Sequence, residues 1–243
     1  MHTIKLTIEY DGTAYVGWQF QPNGLAVQQV MESALARLPG ARVNLYSSGR
    51  TDAGVHAKGM IASFSTERSL PLSAYTDGMN CILPPDIAVI SAEEVAADFN
   101  PRHDAKGKHY RYTILSALRR SPLSRTSAWY LREKLHLELM RQGAAFFVGE
   151  HDFSAFRTSG CAAKTTLRRV DSVEISTSGD LIHIDVTGSG FMRNMVRIMA
   201  GTLVEIGRGK MPPEHIGRCL AESGVKAGPT APPHGLCLME VYY

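Results

Sequence analysis

The densest run of groups able to do chemistry is Ser48-Gly49-Arg50-Thr51-Asp52-Ala53-Gly54-Val55-His56-Ala57. Gly49 and Gly54 bracket a carboxylate, and glycine tolerates backbone angles closed to other residues. Asp52 is therefore expected on a tight, exposed turn. The flanking segments 43–46 and 60–64 read as strands. An Asp on a rigid loop between strands can serve as a nucleophile or a general base. It can equally bond its own backbone in an Asx turn, a role that involves no reaction. His56 and His151, near Asp52 and Asp152, raise the question of a metal. No His-x-x-x-His or comparable ligand spacing accompanies them, so no metal site is expected.

Composition bounds what such a carboxylate could serve. The 243 residues are 44% apolar and 20% charged, the balance of an ordinary soluble globular protein with a well-buried core. A formal charge of +3 decides little by itself, but its distribution is uneven. Arg102 to Arg125 holds seven lysines and arginines against one acid, Asp104, and Arg157 to Arg169 holds four with no acid. Two basic stretches of this kind are the footprint of a polyanion-binding face, although a merely solvated surface can also be basic. Cys81, Cys161, Cys219 and Cys237 form no Cys-x-x-Cys pair. That argues against zinc and against a disulfide framework, and reduced, inert thiols are expected. No signal peptide and no apolar run of membrane-spanning length is visible, so the cytoplasm is the expected location.

The elements that must position these groups follow from periodicity. Residues 4–10 alternate as a half-buried strand and lead into a turn-rich stretch, 10–21, whose Tyr15, Trp18 and Phe20 suit either stacking on bases or packing on the core. Helical spacing over 27–38 ends at Pro39-Gly40, and a second helix is expected over 71–81, followed by a strand at 87–90. Beyond Asn100-Pro101 come a strand at 109–115, a loop with Pro122, a helix at about 135–147, and a compact loop, 149–157. A hairpin follows over 167–177 and 181–187, then helices over 191–206 and 213–222, and a last strand over 236–242. The expected fold is α+β: two similar-sized halves, 1–105 and 106–243, of mostly antiparallel sheet with helices on one side and an active-site cleft between them.

At this point several blocks, in order along the chain, resemble the tRNA pseudouridine synthase A (TruA) family. They are Tyr10-Asp11-Gly12-Thr13 with Gly17-Trp18-Gln19, the Gly49–Ala57 block, Tyr110-Arg111-Tyr112, His151-Asp152-Phe153-Ser154-Ala155-Phe156, Phe191 with Met195-Val196-Arg197, and Gly235-Leu236. The Gly-Arg-Thr-Asp block is the specific one. One block departs: the family usually has Phe-His-Ala-Arg where this chain has Phe99-Asn100-Pro101-Arg102, which puts an RNA contact of that histidine in question but not the chemistry. The resemblance implies the pseudouridine synthase fold and a cofactor-free isomerase that converts uridines 38, 39 and 40 of the tRNA anticodon arm to pseudouridine. It also implies a homodimer gripping one tRNA from both subunits.

That chemistry breaks a glycosidic N–C bond, turns the base and rejoins it through carbon. It needs neither cofactor nor metal, only a carboxylate nucleophile, for which Asp52 is the candidate. A uridine taken out of its stack costs a few kcal/mol, and a carboxylate buried beside it needs a counter-charge. Arg197, between Val196 and Ile198 on an apolar helix, is the expected partner. Tyr110 matches the family's active-site tyrosine, able to stack on the base and to help remove the C5 proton. Tyr112 better suits a plain core aromatic, the two rings being expected on opposite faces. Leu236 would wall the pocket under the base. Arg50 would hold phosphate or push the base out, unless it braces the loop through an ion pair. Two other classes compete: an RNA-binding module in which Asp52 serves only the turn, and a metal-dependent nuclease, which would need clustered carboxylates.

Overall fold

The structure, a computed structural model, describes residues 1–38, 43–158, 160 and 163–243. In chain order the elements are β1 (His2–Tyr10), α1 (Val27–Arg37), β2 (Tyr46–Ser47), β3 (His56–Thr66), β4 (Ile87–Val95), β5 (Gly107–Ser116), β6 (Trp129–Leu131), α2 (Leu137–Ala145), β7 (Gly149–Asp152), β8 (Leu167–Ser178), β9 (Leu181–Gly188), α3 (Met195–Gly207), α4 (His215–Ala221) and β10 (Leu236–Tyr242). The fold is α+β, and its named strand pairs are antiparallel except β5 with β6. The chain forms two units, Met1–Lys106 with Leu238–Tyr243, and Gly107–Cys237.

The first unit is a sheet in the order β4-β1-β3-β10, with β2 added on β3. The alternation read in β1 is real: Ile4, Leu6, Ile8 and Tyr10 are buried, and the first three lie opposite Phe64, Ala62 and Met60 of β3. α1 buries Val27, Met31, Ala34 and Leu35, the expected one-sided stripe. β10 approaches β3 closely because Gly59 carries no side chain; a Cβ there would stand 2.5 Å from the Met239 carbonyl oxygen.

In the second unit the order is β5-β9-β8-β7, with β6 parallel on β5. Tyr110, Tyr112 and Ile114 are buried on one face, opposite Val186, Ile184 and Ile182. α3 packs against β5 and α2, and α2 against β8. α3 is nearly all buried, which is why its sequence is apolar on most sides.

Several expectations need correction. Tyr110 and Tyr112 do not face opposite ways, because strand side chains alternate with period two and residues i and i+2 share a face. α3 begins at Met195, not at 191: Asn194 takes a left-handed conformation, φ 62°, which an Asn tolerates and a helix cannot contain. The 71–81 helix is interrupted by a π-helical turn at Ala74–Gly78. Residues 149–152, read as loop, pair with β8, and the three-residue β6 was missed altogether. The helix stop at Pro39-Gly40 and Cys161 lie outside the described residues. Of the other thiols, Cys219 is buried but Cys81 is exposed. Among the described residues no helix is long and apolar enough to cross a membrane.

Candidate active site

The Asp52 loop is fixed by a second loop, residues 10–18, through backbone contacts that demand glycine. The Trp18 N–H donates to the Thr51 carbonyl at 3.2 Å, the Gly54 N–H to the Tyr15 carbonyl at 3.3 Å, and Gly17 bridges Asp52 in antiparallel fashion. Gly17 has φ +110°, and a Cβ there would stand 2.5 Å from the Thr51 carbonyl oxygen. A Cβ on Gly12 would collide with the carbonyl of Val55. The Asp52 carbonyl accepts from the Val55 N–H at 3.1 Å, closing a turn in which Gly54 has φ +75°.

Side chains complete the clamp. The buried Tyr10 and Thr51 hydroxyls meet at 2.8 Å. His56 Nδ1 accepts the Gly12 N–H at 3.0 Å and lies 3.0 Å from the Asp11 carboxylate, tying both loops together four residues beyond Asp52. Burial works to raise the Asp11 carboxyl, but hydrogen bonds from the Thr13 hydroxyl and N–H help hold the group below the ordinary carboxylate value. Of the three aromatics in the 10–21 stretch, Tyr15 and Trp18 take the core role, whereas Phe20 is exposed. Tyr15 donates to Asp86 at 2.7 Å, and burial with that carboxylate pushes its phenol well above the usual range. Asp52 ends half-buried at the head of this frame, and Arg50 is exposed. The loop-bracing ion pair weighed for Arg50 does not form among the described residues.

Tyr110, Arg197 and Leu236 are gathered in the second unit. Tyr110 is buried on β5 with its ring edge-on to Phe191, centroids 5.3 Å apart at 86°. Arg197 lies in the first turn of α3, where its Nε donates to the Ala231 carbonyl at 2.8 Å and its Nη1 to Asn194 Oδ1 at 2.7 Å. The Ala231 N–H returns a bond to the Arg197 carbonyl at 3.1 Å. Tyr112 donates to the Pro232 carbonyl at 2.8 Å, and a Cβ on Gly235 would stand 2.7 Å from the Tyr112 ring. Burial pushes the Tyr112 phenol far up, against the opposing charge of Arg197. Leu236 is thereby presented, buried, at the start of β10.

Sequence reasoning missed the segment that holds Arg197 and Leu236 in place, 228–235, read only as a Gly- and Pro-rich loop. It runs along α3 where Gly201 leaves room for the Pro229 carbonyl and Thr202 accepts the Gly228 N–H at 2.9 Å. The available signal was a Gly-Thr pair inside an otherwise apolar helix. His151 hydrogen-bonds the Val148 carbonyl at 3.0 Å, a structural role. Among the described residues no group of three or more His, Cys, Asp or Glu could hold a metal ion. Asn100 has a use of its own: its Oδ1 accepts the N–H groups of Arg102 at 3.0 Å and His103 at 3.1 Å, capping the turn that follows.

Comparison with known proteins shows the family. A family model described as tRNA pseudouridine synthase matches residues 6–104 and 144–243. The tRNA pseudouridine synthase A of Geobacter sulfurreducens is 61% identical over the whole of both chains, and that of Pelobacter propionicus 62%, again over the whole of both. Among solved structures, an H/ACA ribonucleoprotein bound to a substrate RNA containing 2′-deoxyuridine superposes with TM-score 0.40 at 14% identity, covering 99% of this chain and 47% of the other. The backbone-locked Asp52 loop and the Arg197 brace therefore belong to a member of the tRNA pseudouridine synthase family, isomerases that convert uridine in tRNA to pseudouridine.

Proposed function

We propose that this isomerase acts on uridines 38, 39 and 40 of the tRNA anticodon arm, with Asp52 as the nucleophile. The observation that carries the reading is the Asp52 loop itself. A turn that only needed an Asx bond would not require two glycines on a separate loop packed against its backbone. The reaction balances without an oxidant, reductant or cofactor. The N1–C1′ bond breaks, the base turns, a C5–C1′ bond forms, the C5 proton leaves to solvent and N1 takes up a proton. Asp52 supplies the electron pair that holds the reacting fragment during the turn. Tyr110 stacks on the displaced uracil and assists loss of the C5 proton, Arg197 supplies the counter-charge that a carboxylate out of water requires, Leu236 walls the pocket, and Arg50 holds backbone phosphate. The rigid bracing of Arg197 by Ala231 and Asn194 supports a positioned cation in that role. A homodimer working in the cytoplasm is part of the same reading, and it rests on the full-length similarity to tRNA pseudouridine synthase A.

Tritium release from tRNA labelled at uracil C5 tests it. Wild type is expected to release tritium, and Asp52→Asn to bind tRNA while losing at least about 10⁴-fold in rate. Binding without release by wild type would make the chain an RNA-binding protein and sink the mechanism.

A further inference from the structure

The residues between β5 and β6, 117–128, lie in a stretch that the family model does not match, and they form an ordered loop with unusual chemistry. Loops of about this length without secondary structure of their own are uncommon in compact domains and are usually functional. This one is held from within: the Ala128 N–H donates to the Ser124 carbonyl at 3.0 Å, Arg125 Nη1 to the Pro122 carbonyl at 3.0 Å, and the Tyr130 hydroxyl to the Leu118 carbonyl at 3.2 Å. Its neck is closed by the Ala117 N–H on the Leu131 carbonyl at 3.1 Å.

On this frame stand Arg119, Arg120 and Arg125, all exposed, and no acid occurs anywhere between Asp104 and Glu133. The side chains of Arg119 and Arg120 have no ion pair among the described residues. Two arginines elsewhere are neutralised. Arg111 forks onto Asp185 at 2.9 and 3.1 Å, and Arg208 is held by Glu133 and Glu205. Of the basic stretch 102–125, Arg111 is thus paired within the protein, whereas the loop carries three arginines and no acid. Beside the arginines Leu118 is 80% exposed and Leu123 91%, the most exposed leucines among the described residues. Exposed guanidinium groups alternating with apolar tips match a nucleic-acid backbone, whose phosphates take the charge and whose sugar and base faces take the leucines.

We propose that loop 117–128 is a second RNA-binding element that grips phosphates of the tRNA through Arg119 and Arg120, with Leu118 and Leu123 resting on the sugars beside them. The proposal rests on the tRNA reading above and adds to it a surface separate from the reacting uridine's own contacts.

The test is the salt dependence of binding to a full-length tRNA transcript, measured by fluorescence anisotropy between about 50 and 200 mM salt. Loss of two phosphate contacts in Arg119→Gln/Arg120→Gln is expected to flatten the slope of log K against log salt by about 1.4 to 1.8, and to weaken binding about tenfold at the low-salt end. Arg119→Lys/Arg120→Lys should keep the slope, since it keeps the charge. Leu118→Ala/Leu123→Ala should weaken binding a few-fold, about threefold, at unchanged slope, because apolar contacts release no counterions. A wild-type slope in the glutamine variant overturns the proposal. So does a leucine variant that alters the sedimentation of the protein instead of its RNA affinity, which would assign the loop to contact between copies of this chain. Tritium release separates the two readings. An active wild type with an unchanged slope in the glutamine variant removes only the loop proposal, whereas a loop-dependent slope without release removes only the catalytic one.

Discussion

Two regions carry the candidate catalytic groups, and they are built differently. In the first unit, Asp52 is positioned by main chain against main chain: Gly12 and Gly17 let one loop lie on another, and the bonds between them run from N–H to carbonyl. In the second, Gly201 likewise lets the Pro229 carbonyl lie on α3, but Arg197 and Leu236 are held chiefly by side chains reaching backbone: a guanidinium on Ala231, a phenol on Pro232, a threonine hydroxyl on Gly228. Backbone-on-backbone packing tolerates almost no substitution, because the clash would be with atoms that cannot rotate away. Side-chain bracing is softer, since each tie is one hydrogen bond among several. The first kind of construction leaves a mark in the sequence and the second leaves little.

Breaking the first region should therefore cost most. Gly12→Ala is expected to destabilise the protein by about 3 kcal/mol through overpacking against the Val55 carbonyl, and to slow tritium release beyond what the unfolded fraction explains. Urea midpoints and initial rates measure the two effects. An unchanged rate would mean that Asp52 is not held by this packing. The second region should yield less. Tyr112→Phe leaves the buried ring in place and removes only its bond to Pro232, for about 1 kcal/mol, again read from the urea midpoint. A loss as large as that of Gly12→Ala would erase the contrast between the regions.

The smallest effect belongs to the polar face of β5 and β9. There His183 stands 3.3 Å from Thr113 and faces Arg111, Asp185 and His109. Burial first, and the Arg111 charge second, hold His183 below the ordinary histidine value, against the pull of Asp185. A base whose folded value is depressed binds fewer protons folded than unfolded. Its share of stability is thus present above about pH 6.5 and is lost as pH falls from there toward the folded value. Thermal midpoints between about pH 7.5 and 5.5 should fall more steeply in wild type than in His183→Asn. Equal slopes would place the acid sensitivity elsewhere.

The same contrast explains what could be read from the sequence. The Asp52 loop was legible because its glycines and carboxylate are local and their spacing is rigid. The strands of β1, β8, β9 and β10 were legible because period two is a local property. Arg197 was singled out by the Met195-Val196-Arg197 resemblance together with its apolar neighbours, but its bracing by a segment more than thirty residues later could not be read, since no pattern marks which carbonyl a guanidinium will meet. β6 was invisible because three residues carry no period, and its partner is set by tertiary pairing alone. The early start assigned to α3 came from apolar spacing continuing through Phe191, where a single left-handed Asn overrides it.

Leu238–Tyr243 belong to the first unit although 131 residues, Gly107–Cys237, intervene. On the ribosome, residues 1–106 emerge long before β10, so their sheet waits with the part of the β3 edge that β10 covers left open through the synthesis of the whole second unit. When β10 and Tyr243 arrive, Tyr243 is pinned by its hydroxyl on the Pro101 carbonyl at 2.7 Å and by Lys5 above its ring, 4.8 Å from the centroid. Completion of the nascent sheet that carries Asp52 is thereby coupled to translation reaching β10. A chain terminated before β10 would contain Asp52 and still present an open, pairing-prone strand to its neighbours.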